Sequence, residues 1–350
     1  MRAAGLVAVK TLLQKNGEVT PELNEVIRRG YLRVVDTRAI VEDSCSDGIV
    51  SRLAERGIQQ RCRTQFGAMD AARELIRETS NEGLGTNLHS IMMCFGAVLL
   101  ELAADASQRG AVFNWSMAGQ QAGCFLMTDR GGPDLNSWRT QVYQSEQAQR
   151  ATVDKVYALA PSNVGFALLT CKSSGLFPAL YLVPPSAFSQ LKRTPAGRPW
   201  LDDSVQVQNM EGDIELGPEW ELSGTRAATI REFLSICRPN VVLAFLSHVE
   251  WLASRKRIRV PRNLERAKNS LRRIAEFAAT KALVDRYFAA EAMAVKFAGN
   301  ELILDLVLSD CDLSPDDSRD LLGFTKMEGS TYRCFSEIIS LLGLTSKALT

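Results

Sequence analysis

The spacing of apolar residues changes twice along the chain, and this change limits the possible folds more than any other feature of the sequence. Apolar residues recur with helical spacing in residues 1 to about 115 and again after Trp220. Between these segments they alternate, most clearly in Val164–Thr170 and Ala179–Val183. Helical spacing predicts amphipathic helices, whereas alternation predicts strands with one buried face. The chain therefore has the pattern of an α+β protein in which helices precede and follow a small sheet.

The longest helical patterns lie on either side of the predicted strands. An apolar helix is predicted from Leu88 to Ala104, which is typical of a helix buried within a bundle. Long helices are predicted between Leu264 and Leu308, with a break near Gly299–Asn300. The predicted domains are an N-terminal helical domain (1–122), a central β-domain (123–222) and a C-terminal helical bundle (223–350).

Composition excludes several classes of function. The 41 basic and 40 acidic residues leave a formal net charge of +1, so no overall attraction to nucleic acid or to an anionic membrane is expected. With only two histidines, neither a histidine triad nor a multi-histidine metal site is expected. The cysteines form no Cys-x-x-Cys pair, which favours reduced thiols and a cytoplasmic location. The longest apolar run, Ile91–Leu100, is shorter than the roughly 20 residues that a membrane-spanning helix needs.

A glycine-rich turn lies between the N-terminal helices and the strands. It runs from Thr128 to Thr140 and reads Thr-Asp-Arg-Gly-Gly-Pro-Asp-Leu-Asn-Ser-Trp-Arg-Thr. By itself this is an ordinary glycine–proline turn, although glycines also allow a backbone to approach a ligand closely.

A carboxylate near the C-terminus is the candidate for chemistry. Glu328 is followed by Gly329 and by two hydroxyl residues. Such a carboxylate is a candidate general base, and the adjacent glycine has no Cβ to keep a substrate away. An ordinary surface turn has the same residues, so this stretch alone does not identify a function.

Taken together, the two stretches resemble the acyl-CoA dehydrogenase family. Its flavin-contacting segment reads roughly Cys-x-x-x-Thr-Glu-Pro-x-Ala-Gly-Ser-Asp-Leu-x-Ser-Leu-x-Thr, which is similar to Cys124–Thr140 here. The family's catalytic glutamate often lies nine residues after the arginine of an Arg-Asp pair, which is the interval between Arg319 and Glu328. The resemblance covers roughly Asn81 to the C-terminus and implies the same order of helices, strands and helices.

The resemblance implies oxidation of an acyl thioester, carried by CoA or by an acyl carrier protein, at its α,β-positions with FAD as the hydride acceptor. Glu328 would remove the α-proton, its backbone N–H would bind the thioester oxygen, and Gly329 would give the substrate room. The implied FAD-contacting residues are Thr128, Gly131, Gly132, Asp134, Tyr157 and Arg255. The divergence of the sequence favours a biosynthetic role. Family members are commonly dimers or tetramers, so a homo-oligomer without nucleic-acid, membrane or metal partners is expected.

Several family features are changed in this chain. Tyr157 stands where the family has a tryptophan beside the flavin, and Pro133, which has no N–H, replaces the serine that faces the pyrophosphate. The family's Gln-x-x-Gly-Gly-x-Gly segment is absent, since no glycine lies between Gly299 and Gly323. Two alternatives therefore stay open. One is a flavin-independent isomerase, dehydratase or lyase acting on a thioester, and the other is a non-catalytic partner subunit of an intact homologue.

A run of basic residues precedes the predicted helices of the C-terminal region. Six basic residues lie between Arg255 and Arg266. A solvated helix end and loop would have the same composition. The alternative is a surface for phosphate groups, either those of the cofactor or those of CoA or a phosphopantetheinyl carrier protein, whose acidic helices would suit it.

Overall fold

The structure is a computed structural model. It describes residues 2–36, 60–61, 66–117, 119–132, 134–144, 149–172, 178–222, 227–280, 283–284, 286–309, 312–327 and 329–342. Contacts divide the chain into two units. Unit 1 consists of Met1–Cys62, Ile76–Leu84 and Leu234–Thr350, and unit 2 consists of Arg63–Leu75 and Gly85–Phe233. The division into three domains at residues 122 and 222 stays a prediction.

The order of elements confirms the predicted α+β class, with helices before and after a group of strands. The helices are α1 (Arg2–Gln14), α2 (Pro21–Asp36), α3 (Phe66–Glu82), α4 (Leu84–Ala103), α5 (Ala106–Met117), α6 (Pro185–Phe188), α7 (Ala227–Ser254), α8 (Arg262–Ala279), α9 (Arg286–Leu308), α10 (Pro315–Phe324) and α11 (Thr331–Leu341). The strands are β1 (Gln60–Arg61), β2 (Ala122–Leu126), β3 (Gln141–Gln144), β4 (Gln149–Leu159), β5 (Val164–Cys171), β6 (Ala179–Val183), β7 (Lys192–Pro195), β8 (Val207–Glu215) and β9 (Leu283–Val284).

Helix α9 is the centre of unit 1, where it packs against α1, α2, α8, α10 and α11. Glycines let neighbouring helices come close to it. A Cβ on Gly30 of α2 would lie 2.1 Å from Cγ of Glu301, and one on Gly299 would lie 2.9 Å from Cγ2 of Val242 in α7. The predicted break near Gly299–Asn300 is wrong, because α9 continues through these residues and the glycine serves close helix packing instead.

Helix α4 begins at Leu84, directly after Gly83, whose φ is +83°. Its buried residues recur three or four positions apart, as at Leu88, Ile91 and Phe95. By length and composition alone, α4 is apolar enough to cross a membrane. The core helix of a globular protein gives the same signal, and the periodic burial along α4 is the pattern of such a helix.

Unit 2 contains two sheets that share one core. In the first sheet, β2 pairs in parallel with β5, and β5 pairs antiparallel with β6. In the second sheet the order is β3-β4-β8-β7, and all pairings are antiparallel. The shared core includes Leu169 and Val183 from the first sheet and Val153 from the second. The predicted strands Val164–Thr170 and Ala179–Val183 are confirmed as β5 and β6.

Strand β4 places a lysine on its inward face. Ala151, Val153 and Lys155 are buried and alternate with more exposed residues, because successive side chains of a strand point to opposite faces. The ladder then shifts before Ala158, so β4 carries one extra residue relative to β8, which is a β-bulge. Tyr157 lies in this bulge with a φ of +58°, and its side chain is 66% exposed.

Candidate functional site

The carboxylate of Asp129 holds the glycine-rich turn of unit 2 together. Its Oδ1 accepts hydrogen bonds from the backbone N–H groups of Gly131, at 2.8 Å, and Arg139, at 2.9 Å. Its Oδ2 accepts a hydrogen bond from the backbone N–H of Thr140 at 3.0 Å. One buried carboxylate therefore joins the beginning of the turn to its end.

Lys155, on the inward face of β4, is the charge partner of Asp129. Its Nζ lies 3.3 Å from Oδ2 of Asp129, and neither side chain has exposed surface. The ammonium also donates to the carbonyl of Met127 at 3.2 Å and to Oγ1 of Thr170 at 3.4 Å. It lies 4.2 Å from the centre of the Trp138 ring. A buried ammonium is tolerated only where partners of this kind replace its water.

Burial and hydrogen bonding shift the pKa values of this pair. Burial raises the pKa of Asp129, but hydrogen bonds from Arg139, Gly131 and Thr140 outweigh this effect and leave the pKa below its ordinary value. Burial lowers the pKa of Lys155 to about 8, although the charge of Asp129 opposes the shift. Both groups are therefore charged at neutral pH.

Two of the four residues in this turn that the family resemblance assigned to FAD leave space for a ligand and have no side-chain role within the turn. The Thr128 side chain is exposed, while its backbone carbonyl accepts a hydrogen bond from the N–H of Val156 at 2.9 Å. Gly132 has a φ of +99°, and no atom lies within 4 Å of the position that a Cβ would take. This conformation favours glycine whether or not a ligand is bound.

The other two residues serve the turn itself. A Cβ on Gly131 would lie 1.9 Å from the carbonyl oxygen of Ser137, so only glycine fits there. Asp134 is exposed and caps a short 3₁₀ turn at Leu135–Ser137, where its Oδ1 accepts from the N–H of Asn136 at 3.0 Å. Pro133, which replaces the family's serine, lies outside the described residues.

The residues present fit a flavin at the exposed positions of the turn and of the β4 bulge. Thr128 offers a hydroxyl, and Gly132 offers open space. Tyr157 lies in the bulge of β4 just after Lys155 and offers an exposed ring. Gly131 offers no room, because the carbonyl oxygen of Ser137 fills the position that a Cβ would take. Within the part of the chain that the structure describes, no cluster of three histidine, cysteine or carboxylate side chains is arranged to hold a metal.

Arg255, the last residue that the resemblance assigned to FAD, follows the end of α7 in unit 1, whereas the turn belongs to unit 2. Arg255, Lys256 and Arg262 are exposed and form no ion pair with any described residue. Their neighbours are paired. Arg257 bonds to Asp317, Arg259 lies 3.3 Å from Asp312, and Arg266 lies 3.0 Å from Glu22. The basic run is thus partly neutralised, and three of its cations have no ion-pair partner within the part of the chain that the structure describes.

The proposed base, Glu328, lies outside the described residues, but Gly329 beside it is described. Gly329 has a φ of +118°, a region that favours glycine. A Cβ there would lie 3.2 Å from Sγ of Cys334 and 3.8 Å from Nη2 of the buried Arg238. Both the backbone conformation and the packing therefore require glycine at this position.

Two polar side chains of α9 hold the backbone on both sides of Glu328. Lys296 bonds to Asn300 one helical turn away and donates to the carbonyl of Phe324 at 3.0 Å. Asn300 donates through Nδ2 to the carbonyl of Gly329 at 3.2 Å. Both side chains are completely buried.

Sequence reasoning missed Asp129, Lys155, Lys296 and Asn300 as site residues. Signals for them existed. Lys155 occupies an inward position of an alternating strand, and Lys296 and Asn300 lie four residues apart in a mostly apolar helix. Charged residues are rarely buried without partners, so each of these positions predicts a specific buried contact.

Searches of protein-family models and of curated proteins find no match to this sequence. Solved structures of similar fold exist. Glutaryl-CoA dehydrogenase from Mycobacterium smegmatis has a TM-score of 0.61 and 13% identity, covering 98% of this chain and 95% of that chain. PigA, solved with FAD and proline, has a TM-score of 0.62 and 11% identity, covering 93% and 99%.

A third similar structure is the prolyl acyl carrier protein oxidase AnaB, with a TM-score of 0.55 and 11% identity, covering 79% of this chain and 89% of that chain. At such identities, likeness shows the fold and not the reaction. The segments that resemble the acyl-CoA dehydrogenases and the overall likeness nevertheless agree. The chain has an acyl-CoA dehydrogenase-like fold.

Proposed function

We propose that this chain is a flavin-dependent dehydrogenase that oxidises an acyl thioester at its α,β-positions in a biosynthetic pathway. The observation that carries the proposal is the turn held by Asp129. The segment that contacts flavin in the resembling family is retained here within the same kind of fold, and a buried ion pair with Lys155 maintains its shape.

Glu328 is the proposed base, with Gly329 beside it. The α-proton of a thioester is weakly acidic, so its removal requires a positioned carboxylate and a donor that stabilises the developing charge on the thioester oxygen. The Glu328 carboxylate takes the proton, and its backbone N–H donates to that oxygen. Gly329 provides the positive-φ backbone conformation that directly follows the base.

FAD is the proposed cofactor, and when bound it supplies the acceptor for the β-hydride. Thr128, Gly132 and Tyr157 provide the contacting surface in unit 2. Gly131 and Asp134 contribute by shaping the turn. Arg255 is the proposed contact to a phosphate group.

The acyl group is carried by CoA or by an acyl carrier protein, and the similar structures include proteins named for each. The exposed cations Arg255, Lys256 and Arg262 favour an anionic carrier. We place the protein in the cytoplasm as a homo-oligomer. The thiols of Cys124, Cys171 and Cys334, all unpaired and buried, are consistent with a reducing compartment.

A flavin-independent thioester isomerase, dehydratase or lyase is the second candidate. One observation in its favour is Pro133, which cannot donate a hydrogen bond to a pyrophosphate. Another is Gly131, where the carbonyl oxygen of Ser137 occupies the space that a ligand would need. The third alternative, a non-catalytic partner subunit, requires neither a cofactor nor Glu328.

The visible absorption spectrum of the purified protein separates these candidates. It is recorded before and after incubation with FAD and removal of the excess. Bound flavin, together with α-proton exchange that is lost in Glu328→Gln, supports the dehydrogenase. Exchange without bound flavin supports the second candidate, and a partner's activity that is unaffected by Glu328→Gln supports the third.

A further inference from the structure

Lys296 and Asn300 form a buried polar pair on α9, whose residues are otherwise mostly apolar. The Lys296 ammonium donates to Oδ1 of Asn300 and, at 3.0 Å, to the carbonyl of Phe324. The Asn300 amide donates through Nδ2 to the carbonyl of Gly329 at 3.2 Å. The pair therefore bonds to the backbone at both ends of the segment 324–329, which contains Glu328.

The chemistry of the pair fixes its orientation. An ammonium has only donors, so it bonds to Asn300 through the amide oxygen, and this directs the amide nitrogen to Gly329. The carbonyl of Phe324 lies at the C-terminal end of α10, where a cation interacts favourably with the helix dipole. The ring of Phe245 lies 5.1 Å from the Lys296 ammonium and 4.2 Å from the ring of Phe324, so the segment is also held by packing.

We propose that Lys296 and Asn300 are positioning residues for the base, and that they hold the backbone on both sides of Glu328 in one conformation. This inference rests on the proposed function, since it assigns the pair to the base of that reaction. Burial of an ammonium lowers stability compared with an apolar side chain of similar volume, so packing alone does not require a lysine here. Only a donor-rich side chain both bonds to the Phe324 carbonyl and orients the Asn300 amide.

Asn300→Asp is the most direct test. Aspartate keeps an acceptor for Lys296 but has no N–H for the Gly329 carbonyl. We expect α-proton exchange of butyryl-CoA and hexanoyl-CoA in deuterated water to slow by about a hundredfold with little change in KM, because a misplaced base lowers the rate more than binding. The pH profile of α-proton exchange is expected to shift, because the Glu328 carboxylate is no longer held in one environment.

The control is Asn240→Ala. Asn240 is buried in α7 and donates to the carbonyl of Ile236 in its own helix, so its removal perturbs the core without removing a hydrogen bond to the described residues of the segment 324–329. The control is expected to lower the unfolding midpoint while keeping the exchange rate. Should Asn300→Asp not fold, Lys296→Gln replaces it, because the glutamine side chain is one bond shorter than that of lysine and carries no positive charge.

Backbone hydrogen exchange between Phe324 and Ser330 gives a readout that does not depend on activity. We expect faster backbone exchange there in Asn300→Asp and wild-type rates in Asn240→Ala. Unchanged backbone protection, or an unchanged rate of α-proton exchange in a folded Asn300→Asp variant, would overturn the proposal. If the wild-type protein exchanges no α-proton while Asn300→Asp still loosens this segment, the proposed function fails and the structural role of the pair stands.

Discussion

The ammonium of Lys155 lies 3.3 Å from the carboxylate of Asp129, and the side chains of both residues are completely buried. Their charges come from different elements, β4 and the glycine-rich turn that follows β2. The pair therefore ties a turn with few apolar anchors to a strand of the core. This relationship has consequences for stability, pH dependence and cofactor binding.

Removal of either partner of this pair is expected to destabilise unit 2. We expect Lys155→Met and Asp129→Asn each to lower the free energy of unfolding by about 3–5 kcal/mol, because each leaves a buried charge without its partner. The double variant should lose less than the sum of the two, because it removes both charges. Denaturant unfolding measures all three free energies. Lys192→Met is the control, since its exposed ion pair with Glu211 contributes little to the free energy of unfolding. Additive losses in the double variant would contradict the coupling between Lys155 and Asp129.

The lowered pKa of Lys155 predicts how stability depends on pH. The unfolded chain keeps a proton on Lys155 up to its ordinary pKa of 10.5, whereas the folded chain releases it at about 8. Between these values the unfolded state binds more protons, so the contribution of Lys155 to the free energy of unfolding rises with pH, by roughly 3 kcal/mol over the whole interval.

The buried thiols limit the range in which this rise is visible. Burial raises the pKa of Cys124 and Cys171 from 9.0 to about 12, so their unfolded forms lose protons first and stability falls above pH 9. The measurement is therefore the free energy of unfolding between about pH 7.5 and pH 9, in wild type and in Lys155→Met. A wild-type slope no steeper than that of the variant would contradict the lowered pKa.

Gly131 is expected to tolerate no side chain. A Cβ there would lie 1.9 Å from the carbonyl oxygen of Ser137, so Gly131→Ala must displace the backbone of the turn. We expect a lower melting temperature and weaker FAD binding. Gly110→Ala is the matched control, because nothing lies within 4 Å of a Cβ at this exposed position of α5; it should gain about 0.5–1 kcal/mol. Equal effects of the two substitutions would show that the turn is adaptable.

The cations without ion-pair partners among the described residues predict how a carrier is recognised. We expect Arg255→Gln, Lys256→Gln and Arg262→Gln combined to raise the KM for a carrier-protein-bound substrate by about tenfold at low salt and to reduce its dependence on salt. Steady-state kinetics at two ionic strengths measure this effect. Arg266→Gln serves as the control, because Arg266 already pairs with Glu22. No difference between the triple variant and this control would remove the basic run from carrier binding.

The spacing of apolar residues was sufficient to predict the order of helices and strands, and individual strands such as β5, because this pattern is local in the sequence. The break predicted at Gly299–Asn300 failed for a tertiary reason. Gly299 meets Val242 of another helix, and no local rule reveals whether a glycine ends a helix or admits a neighbour.

The site was predicted less completely than the fold. The family resemblance directed attention to Thr128, Gly132 and Glu328, which are residues that would face a ligand. The groups that hold such residues in place, Asp129 with Lys155 and Lys296 with Asn300, are joined by contacts that depend on tertiary structure and on orientation. Their partners cannot be assigned from spacing alone, because a buried charge indicates that a partner exists without indicating which one.

The bulge in β4 makes Tyr157 dispensable to the sheet. Inward positions have odd numbers up to Lys155 and even numbers from Ala158, so the strand changes phase across one inserted residue. Deleting that residue would join the two halves of the strand in a single phase, with every core side chain still facing inward. The inserted residue presents an aromatic ring to solvent next to the turn, so its side chain is available for contacts outside the core. Among proteins of this fold, the presence or absence of the inserted residue would therefore separate those that use this surface from those that do not, more than the type of residue at this position.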